Sequence, residues 1–249
     1  MRVASARRAA APNGITRRER CASASRHVFD LALMVLFLLQ MGYLYLPLAA
    51  HEAFGIALFI AALAHAACRR AWFRSLARGH WPAARVLQTL GVVAALVCMA
   101  ILVVSGIALS GILPASVSSW AQETHLVTSH AALLAFGFHI GASTAKDSAR
   151  SHDGNVLGTL ALCFWLLWSV YGVYAFVRLG VIDYLTGAMP FFAADDTVPL
   201  ALALLDYASI TAAAAFAGFL ITLLCRLARR RRSTGAARGK AKSESRKTC

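Results

Sequence analysis

Long apolar runs alternate along the chain with short interruptions, several of them rich in arginine. The runs cover residues 28–48, 52–67, 86–110, 124–140, 156–177 and 199–224. Most of them approach or exceed the roughly 20 residues that carry a helix across the hydrocarbon core of a bilayer. The pattern predicts an all-α integral membrane protein with six transmembrane helices. Residues 1–27 read as a disordered basic tail. RRAWFRSLARGHWPAAR, residues 69–85, reads as a loop, as do the segment holding Lys146 and Arg150 and residues 179–198, which hold Asp183, Asp195 and Asp196. A basic tail closes the chain at residues 229–249. PLAAHEA after the first run resembles a small-residue cleavage site. The long basic segment before it and the length of the apolar run favour an uncleaved signal anchor.

Composition agrees with this pattern: 59% of the 249 residues are hydrophobic and only 14% charged, well below the charge of an ordinary soluble domain. The net charge of +14 is confined almost wholly to the tails and one loop. There are seven arginines in the first tail, five in the loop after the second helix, two basic residues between the fourth and fifth helices, and ten from Arg226 onward. These positions alternate with connections free of Lys and Arg, apart from Arg178 at the border of the last one. Cytoplasmic loops collect positive charge, so both termini are expected in the cytoplasm of a multi-pass protein of the cytoplasmic (inner) membrane. A nucleic-acid partner is not expected, because no soluble recognition domain is left over. Cys21, Cys68, Cys98, Cys163, Cys225 and Cys249 show no CxxC or other metal-ligand spacing and are expected to be free thiols.

The candidate chemistry lies in the histidines. HEAFGIALFIAALAH places His51 and His65 at the two ends of the second helix, 14 residues apart. The fourth helix, within WAQETHLVTSHAALLAFGFHIG, repeats that spacing with His125 and His139. Fourteen residues are close to four turns, about 21 Å, so each pair shares nearly one helix face. Both helices run from outside to inside. His51 is therefore expected to face His125 near the outer surface, and His65 to face His139 near the inner one. Two facing pairs of imidazoles are what two b-type haems need, one ligand above and one below each iron. The metal ligands are thus expected to be His51, His65, His125 and His139, holding two haem b groups. Gly55, Gly137, Gly141 and the alanines around His65 are expected to let the macrocycles approach. Ser105-Gly106 and Ser110-Gly111 give the third helix a small-residue packing face. His130 points away from the ligand face and reads as packing or as a donor to a ligand. His27, His80 and His152 lie in tails and loops. Arg69, Arg70 and Arg85 read as topogenic charge, with neutralisation of haem propionates as the alternative. Asp206, in the last helix, reads either as a proton relay or as a hydrogen-bond partner for a neighbouring helix.

On FDLALMVLFLLQMGYL, the two-histidine helix followed by Arg70 and Trp72, LVVSGIALS, THLVTSHAALLAFGFHIG, VYGVYAF and LLDYASI, the chain resembles the flavinylation-associated cytochromes, a family of bacterial membrane proteins. The resemblance runs over about residues 28–222. It implies a di-haem electron carrier linked to extracellular flavin-bearing proteins, with His51, His65, His125 and His139 as the ligands. The chain departs from the family pattern at Ala66 and Ser143, where further histidines are usual, and at His130, where an aromatic is usual.

The expected organisation is a basic tail over 1–27, a four-helix di-haem core over 28–144, two further helices over 145–228 and a basic tail over 229–249. The expected function is transmembrane electron transport, from a membrane quinone or dehydrogenase donor to an extracytoplasmic flavoprotein or metal-reducing acceptor. The protein is expected to be an electron-transfer component rather than a stand-alone enzyme, since the haems carry the redox chemistry. The alternative is a haem-free transporter or the membrane anchor of a complex.

Overall fold

The computed structural model describes the backbone of residues 17–110, 118–148, 156–191 and 197–245, and the side chains of 28–110, 120–145, 158–191 and 197–233. The described chain is helical: α1 Arg17–Met41, α2 Leu48–Cys68, α3 Arg70–Leu76, α4 Ala83–Leu109, α5 Ser118–Ser148, α6 Val156–Arg178, α7 Val181–Leu185 and α8 Leu200–Ser245, with a single 3-10 turn at Tyr43–Tyr45. Prolines set two of the starts. Pro47 and Pro82 stand as N-caps of α2 and α4 with extended ψ of 143° and 153°. Each lacks an N–H and drives the residue before it out of the helical region. Leu46, at φ −121° and ψ 145°, is extended accordingly. This moves the first helix end from the expected residue 48 back to Met41, and lets α2 begin one turn before His51. Gly180, at φ 60°, adopts the left-handed conformation that ends α6 and turns the chain into α7.

α5 and α8 form the interior of the bundle. Nearly half of the apolar window of α5 is buried (44%), against 6% in α2. α5 packs between α4 and α8, α6 packs on α8, and α2 lies against α1 at the edge. Small residues make the α5–α8 contact close. A methyl group at Gly137 would stand 2.6 Å from the Thr211 carbonyl oxygen, and one at Gly141 would overlap the carbonyl of Ala215. Lipid supplies no hydrophobic drive for helices to associate, so such backbone proximity and interhelical hydrogen bonds carry the packing. Gln88 of α4 donates to Ala142 O at 2.8 Å and Arg226 of α8 to Ala145 O at 2.9 Å. Trp168 of α6 donates to Ser209 Oγ of α8 at 2.7 Å. The opposite face of α6 exposes Leu160, Phe164, Leu167, Val170, Tyr174 and Val177. These recur at intervals of three and four residues, an apolar stripe turned to lipid.

Among the described residues, five helices are long and apolar enough to cross a membrane: Leu48–Cys68, Ala83–Leu109, Trp120–Ala145, Gly158–Arg178 and Leu200–Ser233. The protein is thus a helical, multi-pass membrane protein by length and composition. The remaining expected span falls on α1, whose apolar stretch Val28–Met41 is shorter. Three further differences from expectation stand out. Helix α1 already begins at Arg17, inside the expected tail. Two of the three expected loops contain a short helix, α3 and α7, and the third begins late because α5 runs on through Lys146 to Ser148. The last helix does not stop at residue 224 but continues through the basic segment to Ser245, 46 residues in all. Gly111, Arg150, His152, Asp195, Asp196 and Cys249 fall outside the described residues, as do the side chains of Cys21, His27 and Lys146.

Candidate functional site

Helices α2 and α5 carry the four candidate ligands, and at one end they bring two together. The imidazoles of His51 and His125 have ring centres 6.3 Å apart, with 67° between their planes. Tyr43 packs edge-on to His51 at 5.0 Å. Gln40, near the end of α1, donates to the His51 carbonyl at 3.0 Å and ties the start of α2 to its neighbour. Nδ1 of His51 is buried with no hydrogen-bond partner. Buried polar atoms are almost always satisfied, so this nitrogen is an exception, as is the Thr222 hydroxyl.

His125 is held from α4. Ser105 is fully buried, and its hydroxyl proton goes to the Ile101 carbonyl at 2.8 Å. A serine has one proton to give, so with that proton on Ile101 O, Ser105 Oγ is placed to accept from His125 Nδ1, 2.9 Å away. In the tautomer protonated at Nδ1, Nε2 keeps its lone pair. Gly106, the next residue, lets the ring lie close to α4: a Cβ there would be 3.6 Å from His125 Cε1.

At the other end, His65 is engaged by α1. Its Nδ1 lies 3.0 Å from Asp30 Oδ1, and Phe29 stacks on the ring at 6.4 Å and 14°. Arg69 reaches the second carboxylate oxygen at 3.5 Å. Asp30 is placed to accept the Nδ1 proton of His65. His139 stands on α5 against α4, where a Cβ on Gly91 would be 3.3 Å from His139 Cα. The described contacts do not join His65 to His139 in the way that they join His51 to His125.

The glycines expected to receive a macrocycle divide. Gly137 and Gly141 serve the α5–α8 contact and do not line the histidine face. Gly55 meets Gln40, at 3.5 Å for a notional Cβ. Arg85 is taken up within its own loop, donating to the carbonyls of Arg78 at 3.1 Å, His80 at 3.2 Å and Ser75, with its guanidinium over Trp81 at 4.9 Å. Arg69 pairs with Asp30, and Arg70 is exposed. His130 is 1% exposed, stacks on Tyr184 at 4.2 Å and 3°, and places Nδ1 2.9 Å from Leu126 O, which fits the packing role. Asp206 accepts from Tyr171 at 2.8 Å and pairs with Arg178 at 2.5 Å, so it joins α8 to α6. Cys68, Cys98, Cys163 and Cys225 are free thiols.

Among the described residues, no group of three or more His, Cys, Asp and Glu side chains converges on a common metal position. A haem iron asks less of the protein, since it needs only axial ligands. The ring-centre separation of His51 and His125 is of the length that demand sets. Two metal–imidazole bonds of about 2.0 Å, with roughly 1.1 Å from each ligating nitrogen to its ring centre, separate ring centres by about 6 Å. The partner of each ligand also fits. Metal-bound histidines usually donate their other N–H to a carboxylate, carbonyl or water, and Ser105 and Asp30 stand at Nδ1 of His125 and His65 where such acceptors would. Sequence reading missed Asp30, Ser105 and Gln40 as parts of the site. Asp30 left a usable signal: a lone carboxylate at the start of the first apolar run, at the membrane depth expected of His65 on the adjacent antiparallel helix. No protein-family model, no curated protein and no solved structure matches the chain.

Proposed function

We propose that the protein is a b-type cytochrome of the cytoplasmic membrane, a flavinylation-associated cytochrome in kind. In this reading it has six transmembrane helices, with both termini in the cytoplasm, and carries electrons across the bilayer. His51 and His125 would hold one haem, and His65 and His139 a second. The observation that carries the reading is the meeting of His51 and His125, imidazoles from two separate helices, at a ring separation suited to one ion between them. The repeated 14-residue spacing extends it to the second pair.

A haem bound at such a site supplies a one-electron iron couple. The chain supplies the rest. Ser105 and Asp30 would hold the imidazole protons of His125 and His65 on Nδ1, leaving the other nitrogen to the iron. Leu58 and Phe37, in the core between the two histidine levels, help exclude water. The axial reach of about 21 Å along α2 and α5 spans most of the bilayer core, so donor and acceptor can be on opposite sides. A membrane quinol or dehydrogenase at the inner side and a flavoprotein or metal reductase at the outer side suit that arrangement.

The test is a reduced-minus-oxidised visible spectrum of the purified protein and of His51→Ala and His125→Ala. The reading expects b-type bands in the parental protein and loss of the same part of the spectrum in each variant. Well-folded parental protein without such bands, grown with haem available, refutes it.

A further inference from the structure

Helix α3 and the turn after it hold a cavity that the four candidate ligands do not line. The apolar helices Leu48–Cys68 and Ala83–Leu109 end on either side of this segment, which sets residues 69–82 at the level of lipid headgroups. The cavity has a volume of about 350 Å³ and is lined by Ala71, Arg74, Ser75, Arg78, Gly79 and Arg85. That is the lower end of the roughly 300–1,000 Å³ of small-molecule sites, room for a headgroup rather than a large cofactor. Arginines dominate the lining and no acidic side chain contributes to it.

Arg85 shapes the cavity. Its guanidinium donates to the carbonyls of Ser75, Arg78 at 3.1 Å and His80 at 3.2 Å. Carbonyls at the end of a helix are its negative pole and repel an anion; here a cation covers them. Gly79, at φ 84°, supplies the left-handed turn between the second and third of these carbonyls. Trp81 lies against the same guanidinium, 4.9 Å from ring centre to Cζ, and is 44% exposed. Tryptophan collects at the membrane–water interface, so this ring marks the depth of the cavity. Arg74 and Arg78 are exposed. Among the described residues the ion pairs are those of Asp30 with His65 and Arg69 and of Asp206 with Arg178, so no carboxylate takes up Arg74 or Arg78. Like charges four residues apart repel each other. Topogenic charge requires arginines on one side of the membrane, but it does not require them to converge on one cavity.

We propose that this cavity binds the phosphodiester headgroup of an anionic phospholipid, with Arg74 and Arg78 on the phosphate oxygens and Arg85 fixing the wall behind them. The planar guanidinium presents paired N–H groups that match phosphate oxygens. Free phosphate would meet the same arginines. The lipid is the occupant favoured here, because the flanking spans and Trp81 set the cavity at headgroup depth, where anionic lipid attracts basic segments. A bound headgroup ties the end of α2 to the start of α4 at the membrane surface. The proposal stands apart from the cytochrome reading and requires no haem.

The experiment is native mass spectrometry of the full-length protein in detergent micelles, titrated with phosphatidylglycerol or with phosphatidylcholine of the same acyl chains. One phosphatidylglycerol is expected to be retained in preference to phosphatidylcholine. The double variant Arg74→Gln/Arg78→Gln should weaken its binding roughly thirtyfold, about fivefold for each arginine, and each single variant about fivefold. Arg229→Gln/Arg232→Gln removes two exposed charges of α8 that do not line the cavity, and should leave the affinity within about twofold because such charges are screened. Equal retention of the two lipids, or equal weakening by the two double variants, overturns the proposal in favour of diffuse charge. Inorganic phosphate that binds lipid-free protein and is lost with the Arg74 and Arg78 variants, while phosphatidylglycerol retention is not, assigns the cavity to a soluble anion and also overturns it. A thermal melt accompanies each variant. Both arginines are exposed and without carboxylate partners, so the variants should melt with the parental chain; variants that unfold would make the two arginines structural and overturn the proposal.

Discussion

Ser105→Ala isolates the hydroxyl that fixes His125. The substitution removes one oxygen from a fully buried position and adds nothing, so the packing of α4 on α5 stays as it is. In the chain without haem the cost is small, because the His125 proton can move to Nε2 and escape an unsatisfied burial at Nδ1. Ligation removes that escape: Nε2 must give its lone pair to the iron, and the proton returns to an Nδ1 that has lost its acceptor 2.9 Å away. A buried donor left without a partner costs about 1–3 kcal/mol. At about 1.4 kcal/mol per decade, that is roughly 5- to 150-fold in haem affinity. The assay is a haem titration of apoprotein in detergent, with a thermal melt of the same sample as control. Affinity should fall within that range while the apoprotein melts within a degree or two of the parental chain. Unchanged affinity refutes the argument. So does an apoprotein that unfolds, since Ser105 would then be a packing residue and not a holder of the tautomer.

Gly141→Ala should destabilise the bundle. The added methyl overlaps the backbone carbonyl of Ala215, and an overpacking cost of about 1–3 kcal/mol exceeds the gain of about 1 kcal/mol in helix propensity; an unchanged melting temperature in detergent would contradict the close α5–α8 packing. Asp206→Ala strands Arg178 and Tyr171. Arg178 is 39% exposed, so screening brings the several kcal/mol of a broken buried pair down to about 1–2 kcal/mol, readable as a lower melting temperature with haem content retained. Haem loss in that variant would instead tie α6 and α8 to the cofactor. His130→Ala removes the stack on Tyr184, about 1 kcal/mol beyond its buried area, and should leave every spectral band in place; loss of a band would make His130 a ligand.

Much of this architecture can be read from hydropathy and spacing, because a bilayer imposes long apolar helices and the helical repeat fixes which residues share a face. The meeting of His51 with His125 agrees with those rules and with the alternating loop charge, whereas the same rules also set His65 against His139, where the described contacts show no such meeting. The misplaced glycines have the same geometry behind them. Gly137 and Gly141 each lie two residues from His139, about 200° around the helix, and so on the face opposite the imidazole, where α8 packs. Asp30 and Ser105 escaped for a different reason. Each acts on a histidine 35 or 20 positions away on another helix, and a pair of that kind has no local pattern. It becomes visible only once two helices are placed at a common depth. Helices α3 and α7 hid within expected loops because a single turn or two carries no periodicity to detect. The extension of α8 through its basic segment was hidden by the end of the apolar run, although arginine, lysine and alanine are all good helix formers.

The central claim is that His51 and His125, with His65 and His139 behind them, hold haem. Pyridine haemochrome quantification of the purified protein, set against its protein concentration, tests it most directly. Two haem b per chain are expected, with a six-coordinate low-spin signal in electron paramagnetic resonance of the oxidised form. One haem per chain, lost with His51→Ala, would leave only the outer pair standing. A ratio near zero in folded protein expressed with ample haem would contradict the account.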